Sequence, residues 1–169
     1  MSFSILFWSS NDSLETGAIR EDALSKGATL RCGGRRLELA EPNRGYFCQP
    51  ALLDGVRLEM RVMQEETFGP VLTLSRFSTE AQAIAEANAT AYGLVAYAFT
   101  RDLGRAHRLV ERLEFGTVGI NETVIVSPHL PFGGMKDSGI GKENGSEGLD
   151  EYLELKSAVV RLPDERAFQ

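Results

Sequence analysis

Cysteine, histidine and tryptophan are scarce in this chain, at two, two and one among 169 residues. Cys32 and Cys48 form no CxxC pair, and His107 and His129 add too few ligands for a structural zinc site, so the sequence predicts no metal. A disulfide framework is not needed either, because a domain of this length buries about 70% of its unfolded surface and closes a core without staples. Basic clusters are also missing. Arg35-Arg36 is the only short one, and 18 Lys and Arg against 24 Asp and Glu leave a formal charge of −6. That balance argues against nucleic acid and anionic membranes as partners. Long apolar runs are absent as well. Phe3 to Trp8 is short, lacks a basic flank and runs into Ser-Ser-Asn-Asp-Ser, so it does not read as a signal peptide, and nothing approaches the roughly 18 residues of a membrane span. The expectation is a cytoplasmic protein with reduced thiols.

What is present is alternation of period. Residues 1–17 pass from apolar to Ser/Asn/Asp-rich and read as an N-terminal extension ending in a turn at Gly17. From Ala18 the pattern predicts a short helix stopped by Gly27, then a strand through Leu30 stopped by Gly33-Gly34. Tyr46 to Leu53 reads as a strand that Pro50 pushes toward a sheet edge or a strand end, and Val71 to Phe77 as another strand. Thr79 opens a helix carrying Ala81, Ile84, Ala85 and Asn88 on one face up to Tyr92-Gly93; Leu94 to Phe99 is a strand, Asp102 caps a second helix, and Thr117 to Ile120 is a strand. Helix and strand in this order predict an α/β fold with crossover units on a mainly parallel sheet with flanking helices. Six of the 17 glycines then fall between Gly133 and Gly148, marking a loop whose backbone lies close to its surroundings. Glu151 to Leu162 alternates like a closing strand suited to pairing with another subunit, followed by a tail over 163–169.

Catalytic fingerprints are sparse. Gly139-Ile-Gly141-Lys-Glu-Asn-Gly145 spaces its third glycine one residue too far for a dinucleotide fingerprint, and Lys136 stands where a phosphate loop ending at Gly141-Lys142 needs its first glycine. His129, between two prolines, reads as a loop residue, and both cysteines as inert thiols. The pair Glu65-Glu66 before Thr67-Phe68-Gly69-Pro70 reads either as a solvated turn or as something more specific. A carboxylate there can accept hydrogen bonds from sugar hydroxyls while the Phe68 ring flanks a planar heterocycle.

Four segments together are distinctive: Glu65-Glu66-Thr67-Phe68-Gly69-Pro70-Val71, Ala91-Tyr92-Gly93-Leu94, Gly116-Thr117-Val118-Gly119-Ile120-Asn121, and Pro131-Phe132-Gly133-Gly134 through Glu143. In order and spacing, over roughly residues 18–162, they resemble the C-terminal part of NAD(P)-dependent aldehyde dehydrogenases. Glu151-Tyr152-Leu153-Glu154-Leu155-Lys156 is most similar to the succinate-semialdehyde dehydrogenase group. The resemblance implies a partial catalytic domain over 18–150 and an oligomerisation strand over 151–162. It places the family's nucleophilic cysteine, general-base glutamate and cofactor domain upstream of the matched region, so no catalytic residue is expected in this chain. It implies Glu66 and Phe68 as contacts of NAD or NADP, a cofactor the chain alone is not expected to hold. Phe132 is implied as lining the aldehyde pocket. Where the succinate-semialdehyde group has a serine holding the substrate carboxylate, this chain has Val126, with Ser127 one residue later. The implied partners are a small-molecule aldehyde and either a second copy or an upstream half. An aldehyde dehydrogenase fragment inactive alone and a non-catalytic interaction module both remain open.

Overall fold

A computed structural model describes residues 5–7, 10–37 and 46–161. They fall into two compact units, one ending at Ala91 and taking in His107–Glu114, the other made of Tyr92–Ala106 and the residues from Phe115 onward.

The first unit contains β1 (Ile5–Phe7), α1 (Ser10–Ser25), β2 (Thr29–Cys32), β3 (Arg36–Leu37), β4 (Tyr46–Cys48), β5 (Ala51–Asp54), α2 (Arg61–Gln64), β6 (Val71–Leu74) and α3 (Glu80–Asn88). No turn forms at Gly17. The helix runs through it from Ser10, because an isolated helical glycine costs only about 1 kcal/mol against alanine. Its end is where the sequence puts it: Gly27 takes φ +97°, its N–H donates to the Leu24 carbonyl and that of Ala28 to the Ala23 carbonyl, a left-handed cap. Ala23, Ala28, Leu53, Val56 and Met60 form the core cluster, with Leu53 and Met60 fully buried.

The expected strand over Tyr46 to Leu53 is two strands. Pro50 cannot donate to a ladder, and the chain breaks at Gln49-Pro50, so β4 joins an antiparallel sheet of order β1-β4-β3 while β5 becomes the centre of β2-β5-β6. Here β5 is antiparallel to β2 and parallel to β6. Thr79 caps α3 as expected, its Oγ1 accepting the Gln82 N–H at 3.1 Å, and Ile84 is the buried residue of that helix.

The second unit contains β7 (Tyr92–Gly93), β8 (Val95–Ala98), the start of α4 (Leu103–Arg112), β9 (Thr117–Ile120), β10 (Met135–Lys136) and α5 (Glu147–Asp150). Strands β8 and β9 pair in parallel, Val95 opposite Thr117 and Ala98 opposite Ile120, with α4 as their crossover. Asp102 caps that helix, its Oδ1 accepting the Arg105 N–H at 2.7 Å. The sheet is not mainly parallel, however. Among the described residues only β5-β6 and β8-β9 are parallel; β7 pairs antiparallel with β10, so α3 does not feed a parallel neighbour as expected. The expected closing strand is not formed either: residues 151–161 are irregular and exposed, with Leu155 and Val159 at 105% and 97%, since a strand needs an edge to pair with. Residue 162 and the expected tail lie outside the described residues.

Candidate functional site

Two stretches carry the residues singled out from sequence, one in each unit. In the first unit α2 ends at Gln64 and the chain turns through Glu65–Pro70 before entering β6. The two adjacent acids have different fates. Glu65 is held by Arg61 one helical turn earlier, through two bonds of 2.7 Å, and the guanidinium keeps its carboxyl below the usual carboxylate range. Glu66 is exposed and makes no ion pair among the described residues. Two residues on, the Phe68 ring is 83% exposed, far more than a ring used for packing. The turn thus offers an exposed acceptor and an exposed flat apolar ring two residues apart. A ribose diol and a planar ring are the chemistry that suits them, so the residues present fit a nicotinamide nucleotide.

In the second unit the chain leaves β9 at Asn121 and reaches Phe132 by way of Val126 and Ser127. Val126 is 61% exposed, and Ser127 is half-buried, its Oγ accepting the His129 N–H at 3.4 Å. Phe132 is half-buried and fixed by two reciprocal backbone bonds to Glu143, both 2.7 Å. Phe132 opens a cavity of about 300 Å³ shared with Leu94, Ser138, Ile140, Lys142 and Glu151.

The walls of this cavity are held by contacts that no periodicity reveals. Ser138 Oγ accepts the Gly93 N–H at 2.9 Å, across 45 positions. Lys142 Nζ donates to the Gly134 carbonyl at 3.1 Å, and the Lys142 N–H donates to Glu151 at 3.1 Å. Glycine is required where backbones meet: a Cβ on Gly116 would lie 1.7 Å from the Gly133 carbonyl oxygen, and one on Gly133 2.4 Å from that of Gly141. A larger cleft, about 640 Å³, lies in the first unit among Arg20, Leu24, Leu30, Cys48 and Val71, and none of the five residues singled out lines it. Cys48 is half-buried there, and burial pushes its thiol up, which suits an inert side chain. Among the described residues, no three His, Cys, Asp or Glu gather as a metal site, and no helix is long and apolar enough to cross a membrane.

An α/β chain with these two stretches has a known counterpart. The model of the aldehyde dehydrogenase family matches residues 9–158, and the chain belongs to that family. Its relatives include the NADP(+) succinate-semialdehyde dehydrogenase of Escherichia coli strain K12, to which it is 47% identical over 141 residues, 83% of this chain and 28% of that enzyme. The 3-sulfolactaldehyde dehydrogenase of Pseudomonas putida is 47% identical over 135 residues, 80% of this chain and 27% of that one. Among solved structures, betaine aldehyde dehydrogenase from Staphylococcus aureus in complex with NAD+ superposes with a TM-score of 0.78 at 40% identity, over 85% of this chain and 28% of that one. The chain therefore spans under a third of the length of these relatives.

Proposed function

We propose that this chain is the distal part of a cytoplasmic NAD(P)-dependent aldehyde dehydrogenase that oxidises an aldehyde bearing a second acidic group, and that it contributes cofactor and substrate contacts while other parts of such an enzyme contribute the nucleophile and base. The observation that carries the reading is the contrast between adjacent acids: Glu65 is committed to Arg61 while Glu66 stays unpaired beside the exposed Phe68 ring. When bound, NAD(P)+ accepts the hydride. Glu66 would orient it by accepting from ribose hydroxyls, and Phe68 would limit where the ring can move.

On the substrate side, Phe132 forms an apolar wall. Val126 has no proton to donate to a distal acid. The Ser127 hydroxyl does, since its Oγ accepts the His129 N–H and keeps its own proton free. Relatives named for succinate semialdehyde and 3-sulfolactaldehyde make a small acidic aldehyde the favoured class. The exposed segment 151–161 is assigned to pairing with a sheet edge of a second copy or of an upstream half.

The test is aldehyde-dependent NAD(P)H formation by this chain combined with a polypeptide carrying the upstream part of the family fold. Turnover is expected only with both. In that mixture Glu66→Gln should slow single-turnover hydride transfer by roughly ten- to a hundredfold, the equivalent of losing a charge-assisted hydrogen bond of about 1.5–3 kcal/mol. Phe68→Ala should act in the same direction. An unchanged rate in Glu66→Gln would make the turn structural and the reading wrong.

A further inference from the structure

Asn121 stands out in the second unit. It is the first residue after β9, and it takes φ +56°, a left-handed conformation that few side chains adopt and asparagine tolerates. Its backbone N–H still donates to the Ala98 carbonyl at 2.8 Å, as the last rung of the β8-β9 ladder. Its side chain then adds a rung that the turning backbone cannot make: Oδ1 accepts the Thr100 N–H at 2.8 Å and Nδ2 donates to the Thr100 carbonyl at 2.7 Å. Both hydrogen-bonding groups of one backbone residue are thus taken by one amide. Thr100 is itself tied to the helix cap, its Oγ1 accepting the Asp102 N–H at 3.2 Å.

These contacts sit at the carboxyl ends of a parallel strand pair, where open α/β sheets place their ligands. The left-handed turn at Asn121 sends the chain out of the sheet, and the amide clamp ties its point of departure to the loop after β8. The segment so launched carries Val126 and Ser127 toward Phe132.

We propose that Asn121 is a positioning residue that sets the path of residues 122–131, and through it the site of the substrate's distal group; this rests on the reading of that segment as substrate-lining. Two substitutions separate the amide from the conformation. Asn121→Gly keeps the left-handed turn and deletes the clamp, whereas Asn121→Asp keeps an acceptor for the Thr100 N–H and loses the donor.

The test begins with amide hydrogen exchange on this chain. Asn121→Gly should speed exchange at Thr100 and across 122–131 by about tenfold or more while leaving Thr117–Ile120 protected, with Asn121→Asp between it and the parent. In the complemented enzyme the KM for aldehyde should rise about tenfold in Asn121→Gly with kcat changed less than about threefold, and Asn121→Asp should recover part of it. Unchanged exchange over 122–131 overturns the proposal, as does loss of protection at Thr117–Ile120, which would make Asn121 a folding residue. So does an unchanged KM in an active enzyme. If the complemented parent chain does not turn over, the functional reading falls, and the exchange data alone decide the clamp.

Discussion

Every buried hydrophobic side chain among the described residues, from Ile19 to Ile84, lies in the first unit, whereas the second has none and is tied together by backbone. Its order comes from hydrogen bonds such as Phe132 with Glu143 and from glycines seated against carbonyls. Among the described residues the non-glycine positions with positive φ, Asn121, Lys136 and Asn144, also belong to it. Large apolar side chains there are exposed, Leu103 at 74% and Phe99 at 71%. The first unit therefore has the means to fold by burial. The second has a backbone shaped for a site, and apolar surface of the kind that marks contact with further protein.

The contrast is broken or upheld first by side-chain truncation. Leu53→Ala empties a fully buried position and should cost about 2–5 kcal/mol, while Leu103→Ala should stay within about 0.5 kcal/mol, both read from denaturant midpoints. Comparable losses would mean that the second unit has a core of its own. Backbone crowding should show the reverse pattern. Gly116→Ala drives a methyl into the Gly133 carbonyl and should cost about 1–3 kcal/mol, with faster amide exchange around Phe132. In the first unit Gly17→Ala meets nothing within 4 Å in a helix, and should stabilise by about 0.5–1 kcal/mol. A neutral Gly116→Ala would show that the glycine contacts are incidental.

Legibility from sequence follows the same division. Features fixed by local chemistry were readable: the Gly27 stop, the Thr79 and Asp102 caps, and the period change that makes β8–α4–β9. Pairing partners were not. The direction of β7 is set by β10, more than 40 residues away, and Pro50 marks where β4 and β5 part but not which sheet each one joins. The site was legible as motif and opaque as geometry. The acids were legible as a pair, but α2, which sets Arg61 one turn before Glu65 and so decides which of them is taken, was not.

A third test concerns charge inside the first unit. Asp54 is buried, with Arg31 bonding its Oδ2 at 2.5 and 3.0 Å, and this guanidinium holds the carboxyl below its ordinary value. A carboxyl lowered in the folded state stabilises above the unfolded value and loses that contribution as pH falls through the folded one. Thermal unfolding of the first unit should therefore worsen progressively below about pH 4. Asp54→Asn should lower the midpoint at pH 7, flatten the acid limb and converge with the parent once acid has protonated the Asp54 carboxyl. Asp22, Glu59 and Glu65, lowered by Lys26, Arg57 and Arg61, leave some slope behind. Parallel acid limbs would mean that Asp54 contributes nothing specific.

The smallest effect gives the sharpest local probe, because both cysteines lie in the first unit. Cys32 is exposed on β2, while Cys48 is half-buried, donates to the Gln49 carbonyl at 3.3 Å and has its thiol pushed up by burial, with Arg20 opposing. Since the thiolate is the reactive form, burial and the raised thiol both slow Cys48. A neutral alkylating reagent at pH 8 should therefore label Cys32 about tenfold faster, read by peptide mass spectrometry. Opening the core should close that gap: Leu53→Ala is expected to speed Cys48 labelling, whereas Gly116→Ala, which disturbs only the second unit, should leave it alone. Equal acceleration in both variants would show that the units open together, and that the difference between buried side chains and tethered backbone does not divide the molecule in solution.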